Sequence, residues 1–136
     1  MAGMTELLEV PADWVTLRTA TEDDQPIVVL VDRAVATTGP YPEWPVQVGI
    51  AVSYGESPDG QPQAAHLEQL RALEQAVVDA AAGEARLVAV MTLEGVREWM
   101  IYARSTAWTQ DFTEAGLSVM VTQDPAWTGL KELSGG

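Results

Sequence analysis

The amino-acid sequence predicts a single-domain α+β protein in which an antiparallel sheet carries two helices on one face and an N-terminal β-hairpin as an extension. Three observations predict it. Short alternating apolar stretches recur between Trp14 and Thr122, one long stretch of helical spacing interrupts them between Pro62 and Gly83, and a second, shorter helical pair, Trp108 and Phe112, precedes the last of them. At 136 residues, 47% hydrophobic and 20% charged, the chain has the size and composition of one soluble globular domain. The core is expected over about residues 13–127, with 128–136 as a flexible tail.

Taken in order, Trp14 to Arg18 and Pro26 to Asp32 read as two strands of a hairpin joined by the polar residues 21–25. Thr37 to Pro45 is a loop, because its three prolines forbid both helix and central strand. Val46 to Tyr54 alternates strictly, with Val46, Val48, Ile50, Val52 and Tyr54 on one face. After a loop over 55–61, Pro62 sits in the first turn of a helix that Gly83 stops, with Leu67, Leu70, Leu73, Val77 and Ala81 at helical spacing. Arg86 to Leu93 and Val96 to Arg104 are strands joined by a tight Glu94-Gly95 turn, where glycine accepts a positive φ. Trp108 and Phe112 mark a short helix ending at Gly116, and Leu117 to Thr122 is the last strand.

From residue 46 the order is strand, helix, strand, strand, helix, strand, the split βαβ or ferredoxin-like pattern. The right-handed crossover rule then orders the strands 117–122, 46–54, 97–104, 86–93, antiparallel, with both helices on one face. The other face is left open, and both sides of the strand 97–104 carry large apolar groups. The N-terminal hairpin or a partner is expected to cover part of that face.

Twenty acidic residues against seven basic ones give a net charge of −13, spread over both halves of the chain. That field repels nucleic-acid backbones and anionic membrane surfaces and favours a partner with a basic surface, so no nucleic-acid binding at physiological salt and no membrane association are expected. With no cysteine and one histidine, disulfides, zinc knuckles, iron–sulfur clusters and thiol nucleophiles are excluded, and stability is expected to be indifferent to chelators. No cofactor is implied. The first ten residues lack a basic stretch followed by an apolar one, and no apolar run nears the ~20 residues that span a bilayer, so a cytoplasmic location is expected.

The stretches W-V-T-L-R (14–18), D-D-Q-P-I-V-V-L-V (23–31), Y-P-E-W-P-V-Q-V-G-I-A-V (41–52), L-V-A-V-M-T-L-E-G-V-R-E-W-M-I-Y-A-R (87–104) and D-P-A-W (124–127), in this order, resemble the bacterial family called domain of unknown function 695. The resemblance covers about residues 13–127, and Gly95 to Arg104 is its most specific piece. It implies no activity, cofactor or catalytic residue, since that family has none established. The chain is also distantly similar to the B-type regulators of ribonuclease E activity, small acidic α/β proteins that inhibit an enzyme by binding it.

Residues able to carry chemistry are few. His66, the one imidazole, falls on the apolar arc of the long helix and reads as a half-buried structural residue, since no nucleophile elbow is present. Glu22, Asp23, Asp24 and Asp32 lack the ligand spacing and glycine of a calcium loop. Glu94 and Glu98 are the nearest approach to a carboxylate pair, and a small enzyme using carboxylate acid/base chemistry is the alternative reading. The main reading is a non-catalytic protein-interaction or regulatory module, monomer or homodimer. Tyr41 and Trp44 in the proline-framed loop, with Arg97, Trp99 and Tyr102 on the strand Arg97 to Arg104, are its expected contact surface.

Overall fold

The computed structural model describes residues 6–54 and 62–133. In chain order the elements are α1 (Glu6–Glu9), β1 (Trp14–Ala20), β2 (Pro26–Asp32), α2 (Arg33–Thr38), β3 (Val46–Ser53), α3 (Ala64–Ala81), β4 (Ala85–Leu93), β5 (Val96–Ala103), a 3₁₀ turn (Ala107–Thr109) running into α4 (Gln110–Glu114), β6 (Ser118–Gln123) and α5 (Thr128–Leu133). The loop expected over 55–61 and the last three residues of the expected tail lie outside the described residues.

All six strands form one sheet, β1-β2-β4-β5-β3-β6, with every pair antiparallel. The order β4-β5-β3-β6 is the one the crossover rule gives for those four strands. The β4–β5 turn has Glu94 at φ 47 and Gly95 at φ 81, two successive positive values that match the right-handed twist of the flanking strands. α3 ends as expected, with Gly83 at φ 79 just beyond it.

Two hydrophobic cores sandwich the sheet. On the first face, Leu70, Val77 and Ala81 of α3 and Phe112 of α4 pack on Val48, Ile50, Val90, Trp99 and Ile101. The second face is not open, which corrects the sequence reading. Leu7 of α1, Val35 of α2, Trp44 and Leu130 of α5 close over Val29, Val31, Val88 and Tyr102, with Trp127 among them. Nor does the hairpin β1–β2 fold across a face. It extends the sheet sideways, β2 pairing with β4 from Val28↔Thr92 to Val31↔Ala89.

Residues 128–133 of the expected tail likewise form a helix, α5. Asp124 caps it, Oδ1 accepting from Thr128 N and Oδ2 from Gly129 N, both at 2.9 Å, and Leu130 is buried.

Candidate functional site

The sideways placement of β1 and β2 leaves their first-face side beyond the reach of α3. Along β2, Val29 and Val31 belong to the second core, so Val28 and Leu30 point to the first face. A cavity of about 680 Å³ runs between this strip and α3, lined by Leu8, Trp14, Leu30, Val78, Leu87 and Val90 among others. A second stretch of about 450 Å³ shares Leu30 and Val90 with it and continues to Arg18, Pro62, Thr92 and Arg97. Together they make one groove, and its walls are where apolar surface is exposed. Of seven exposed large hydrophobic residues among those described, four line it: Leu8 (38%), Trp14 (43%), Leu30 (37%) and Val78 (43%). An exposed cluster of this kind marks a contact surface more often than chance exposure does.

The two ends differ electrically. At the end near Asp32, Arg86 Nη2 donates to Asp32 Oδ2 at 2.6 Å, and its Nη1 donates to the carbonyls of Leu7 and, at 2.7 Å, Val10. Asp32 Oδ1 also accepts from Asp13 N at 3.0 Å. This pair is buried and internally satisfied, a clasp holding the N-terminal segment to β2 and β4.

At the other end Arg97 Nε donates to Thr92 Oγ1 at 3.0 Å, and burial lowers its guanidinium, with Glu74 opposing and Arg71 reinforcing the shift. Ion pairs among the described residues engage Arg33, Arg86 and Arg104, whereas Arg18, Arg71 and Arg97 form none. A chain with seven basic residues thus gathers Arg18 and Arg97 at one end of its apolar groove, with Arg71 near enough to repel Arg97.

Of the five residues expected to form the contact surface, only Arg97 lies in the groove. Trp44, Trp99 and Tyr102 are 0% exposed, so the expectation that they anchor a partner is corrected. Trp99 sits under α3, its Nε1 donating to Glu74 Oε1 at 2.9 Å. Tyr102 stacks on Trp127 with ring centres 4.0 Å apart, donates its hydroxyl to Asp124 Oδ2 at 2.7 Å and accepts from Leu130 N at 3.2 Å. Burial, then the bond to Asp124, pushes the Tyr102 phenol up. Burial alone raises the Asp124 carboxyl, but the bonds from Tyr102, Gly129 and Thr128 outweigh it and hold Asp124 below its ordinary value. Trp44 accepts from Trp127 Nε1 through its carbonyl at 3.0 Å, under the Arg104 guanidinium 5.0 Å from its ring centre. Tyr41 is half-buried, its ring 5.3 Å from that of Trp127. The proline-framed loop is therefore a lid on the second core.

The groove residues Leu8, Trp14, Arg18, Leu30 and Val78 escape sequence reasoning. One signal was available: I-V-V-L-V, residues 27–31, is apolar on both faces and so reads as an interior strand of the sheet, not as a flap.

The chemistry candidates stay scattered. His66 packs 5.7 Å from the Tyr54 ring, and its Nδ1 is buried with no hydrogen-bond partner among the described residues. Glu94 is exposed in its turn. Glu98 stands over Gly49 on the second face, where burial raises its carboxyl. Neither glutamate lines the groove. No group of three or more His, Asp or Glu residues suited to a metal ion forms among the described residues. No described helix is long and apolar enough to cross a membrane.

The model of a family of unknown function, DUF695, matches residues 12–132, and the chain belongs to that family. No curated protein and no solved structure matches it, so the distant similarity to regulators of ribonuclease E activity gains no support.

Proposed function

We propose that this DUF695 member is a non-catalytic protein-interaction or regulatory module whose contact surface is the groove between α3 and the β1–β2 strands. The observation that carries this is the gathering of four of the seven exposed large hydrophobic residues on the walls of one groove. Around them the net charge of −13 steers a partner with a basic surface toward the molecule, an effect on encounter rate rather than on the final contacts. In this reading the module works in the cytoplasm. The unit β6-β3-β5-β4, with α3 and α4 on one side, is read as a ferredoxin-like split βαβ enlarged by the β1–β2 hairpin.

The test is paired affinity capture from native lysate, with wild type, Val78→Glu in the groove and Met120→Glu on the exposed edge strand β6 as baits. Quantitative mass spectrometry is expected to find proteins retained by wild type and by Met120→Glu but lost from Val78→Glu. Equal recovery on all three baits, or no specific recovery by wild type, defeats the proposal.

A further inference from the structure

We infer that the groove seats an amphipathic helix of the partner, apolar along one stripe, with its acidic C-terminal end beside Arg18, Arg71 and Arg97. This rests on the reading of the groove as a protein-contact surface and adds the shape, orientation and charge of what fills it.

Shape comes first. Neighbouring strands lie ~4.8 Å apart, so β1 and β2 together present a strip about 10 Å wide, close to the breadth of one helix. On the first face α3 packs over β4 and β5 while α4 packs beside β6. Two helices thus serve four strands, and the remaining two are left without one. Val78 forms the flank against which a neighbouring helix would pack at the usual ~8–10 Å between axes. β2 has seven residues, about 23 Å of strand, which a helix of about 15 residues matches at 1.5 Å per residue. Four turns supply anchors at i, i+3 or i+4, i+7 and i+11 for the apolar walls.

Charge sets the direction. Pro62 and Leu67, at the start of α3, lie at the arginine end of the groove, and Ala82 and Gly83, past its end, lie beside Asp32. An occupant with its C-terminus at the arginines therefore runs antiparallel to α3. Its final carbonyls and any Asp or Glu in its last turn then face three cations that form no ion pair among the described residues. At the opposite end the Asp32–Arg86 pair is already satisfied and offers no anchor. An acyl chain with an anionic head meets the same charge pattern. The groove is open along its length, however, with Trp14, Leu30 and Val78 each more than one-third exposed. One side of an acyl chain lying there would remain in water, whereas a helix turns a polar face to it.

The test is selection from a displayed library of random segments of about 15 residues against the intact chain, followed by binding of the synthesised winners. Enriched segments are expected to carry the helical apolar stripe, to place Asp or Glu in their last turn, and to gain helical circular dichroism on binding. They are expected to bind at least tenfold more weakly to Val78→Glu and to Arg18→Glu, both variants melting like wild type. Winners that depend on Val78 but bind without helical periodicity overturn the helix and leave the contact surface standing. No enrichment, or winners indifferent to Val78→Glu, overturns both. Binding of palmitate that is lost in Arg18→Glu, with no peptide enriched, assigns the groove to an amphiphile and also overturns both.

Discussion

Trp44 and Trp14 belong to the same sheet sandwich and meet opposite fates. Trp44 lies in a loop between prolines and is 0% exposed, while Trp14 lies in a regular strand and is 43% exposed. The difference arises from what the rest of the chain places above each. Over the second face, α1, α2, α5 and the loop all converge, and Trp127 joins Trp44 to Tyr102. Over the β1–β2 end of the first face, α3 stops short. Whether such a residue is buried or exposed is decided here by distant segments, and alternation along a strand does not report it.

The comparison can be broken most forcefully at Trp44. If the lid is true core, Trp44→Ala costs about 3–5 kcal/mol of unfolding free energy, read as a lower urea midpoint. A loss below about 1 kcal/mol would return Trp44 to the surface.

Arg86 tests the boundary between the regions, since it clasps the N-terminal segment at the groove's end. Arg86→Ala strands the buried Asp32 carboxylate and is expected to cost about 3 kcal/mol by the same measurement. A near-neutral result would show that the segment is held by its apolar contacts alone.

Glu98 offers a change of opposite sign. Burial sets its folded pKa above its unfolded one, so over that interval the native state binds the extra proton. Stability carried by Glu98 is therefore complete below the interval and falls as pH rises through it. Glu98→Gln, which does not titrate, is expected to be more stable than wild type at neutral pH, with the advantage vanishing toward acid. Urea titrations at several pH values would show it, and a constant difference across pH would contradict it.

The smallest effect belongs to the groove. Val78→Ser is expected to move stability by no more than about 0.5 kcal/mol, because Val78 is 43% exposed and belongs to neither core. A larger loss would make Val78 part of the core and remove a wall of the proposed site.

Local pattern made some of this legible. The Glu94-Gly95 turn, the span of α3 to Gly83, the pairing of β1 with β2 and the order of the last four strands all follow from signals within a few residues or from the crossover rule. α5 did not follow, because T-G-L-K-E-L is short and contains a glycine. It is helical because Asp124 caps it and because Leu130 finds a pocket made by residues far away in sequence. The exposure of the aromatic residues was misread for the same reason, with Trp99 and Tyr102 marked by size and aromaticity while their covers were unknown. Arg97 was legible as part of the strand 97–104, and Arg18 was not, since only the β2–β4 register brings their strands to one groove.

The closure of the second face also has a consequence in time. Its sealing bonds join remote parts of the chain, Trp127 Nε1 to the Trp44 carbonyl across 83 residues and Arg86 to Leu7 and Val10 across 79 and 76. The β4–β5 hairpin needs only a two-residue turn. Loop-closure entropy therefore favours the β4–β5 hairpin as the nucleus and leaves the lid to settle afterwards, on the native side of the folding barrier. Trp127→Phe is then expected to accelerate unfolding while the refolding rate stays close to wild type, and a matching slowdown of refolding in stopped-flow would place the lid in the nucleus instead.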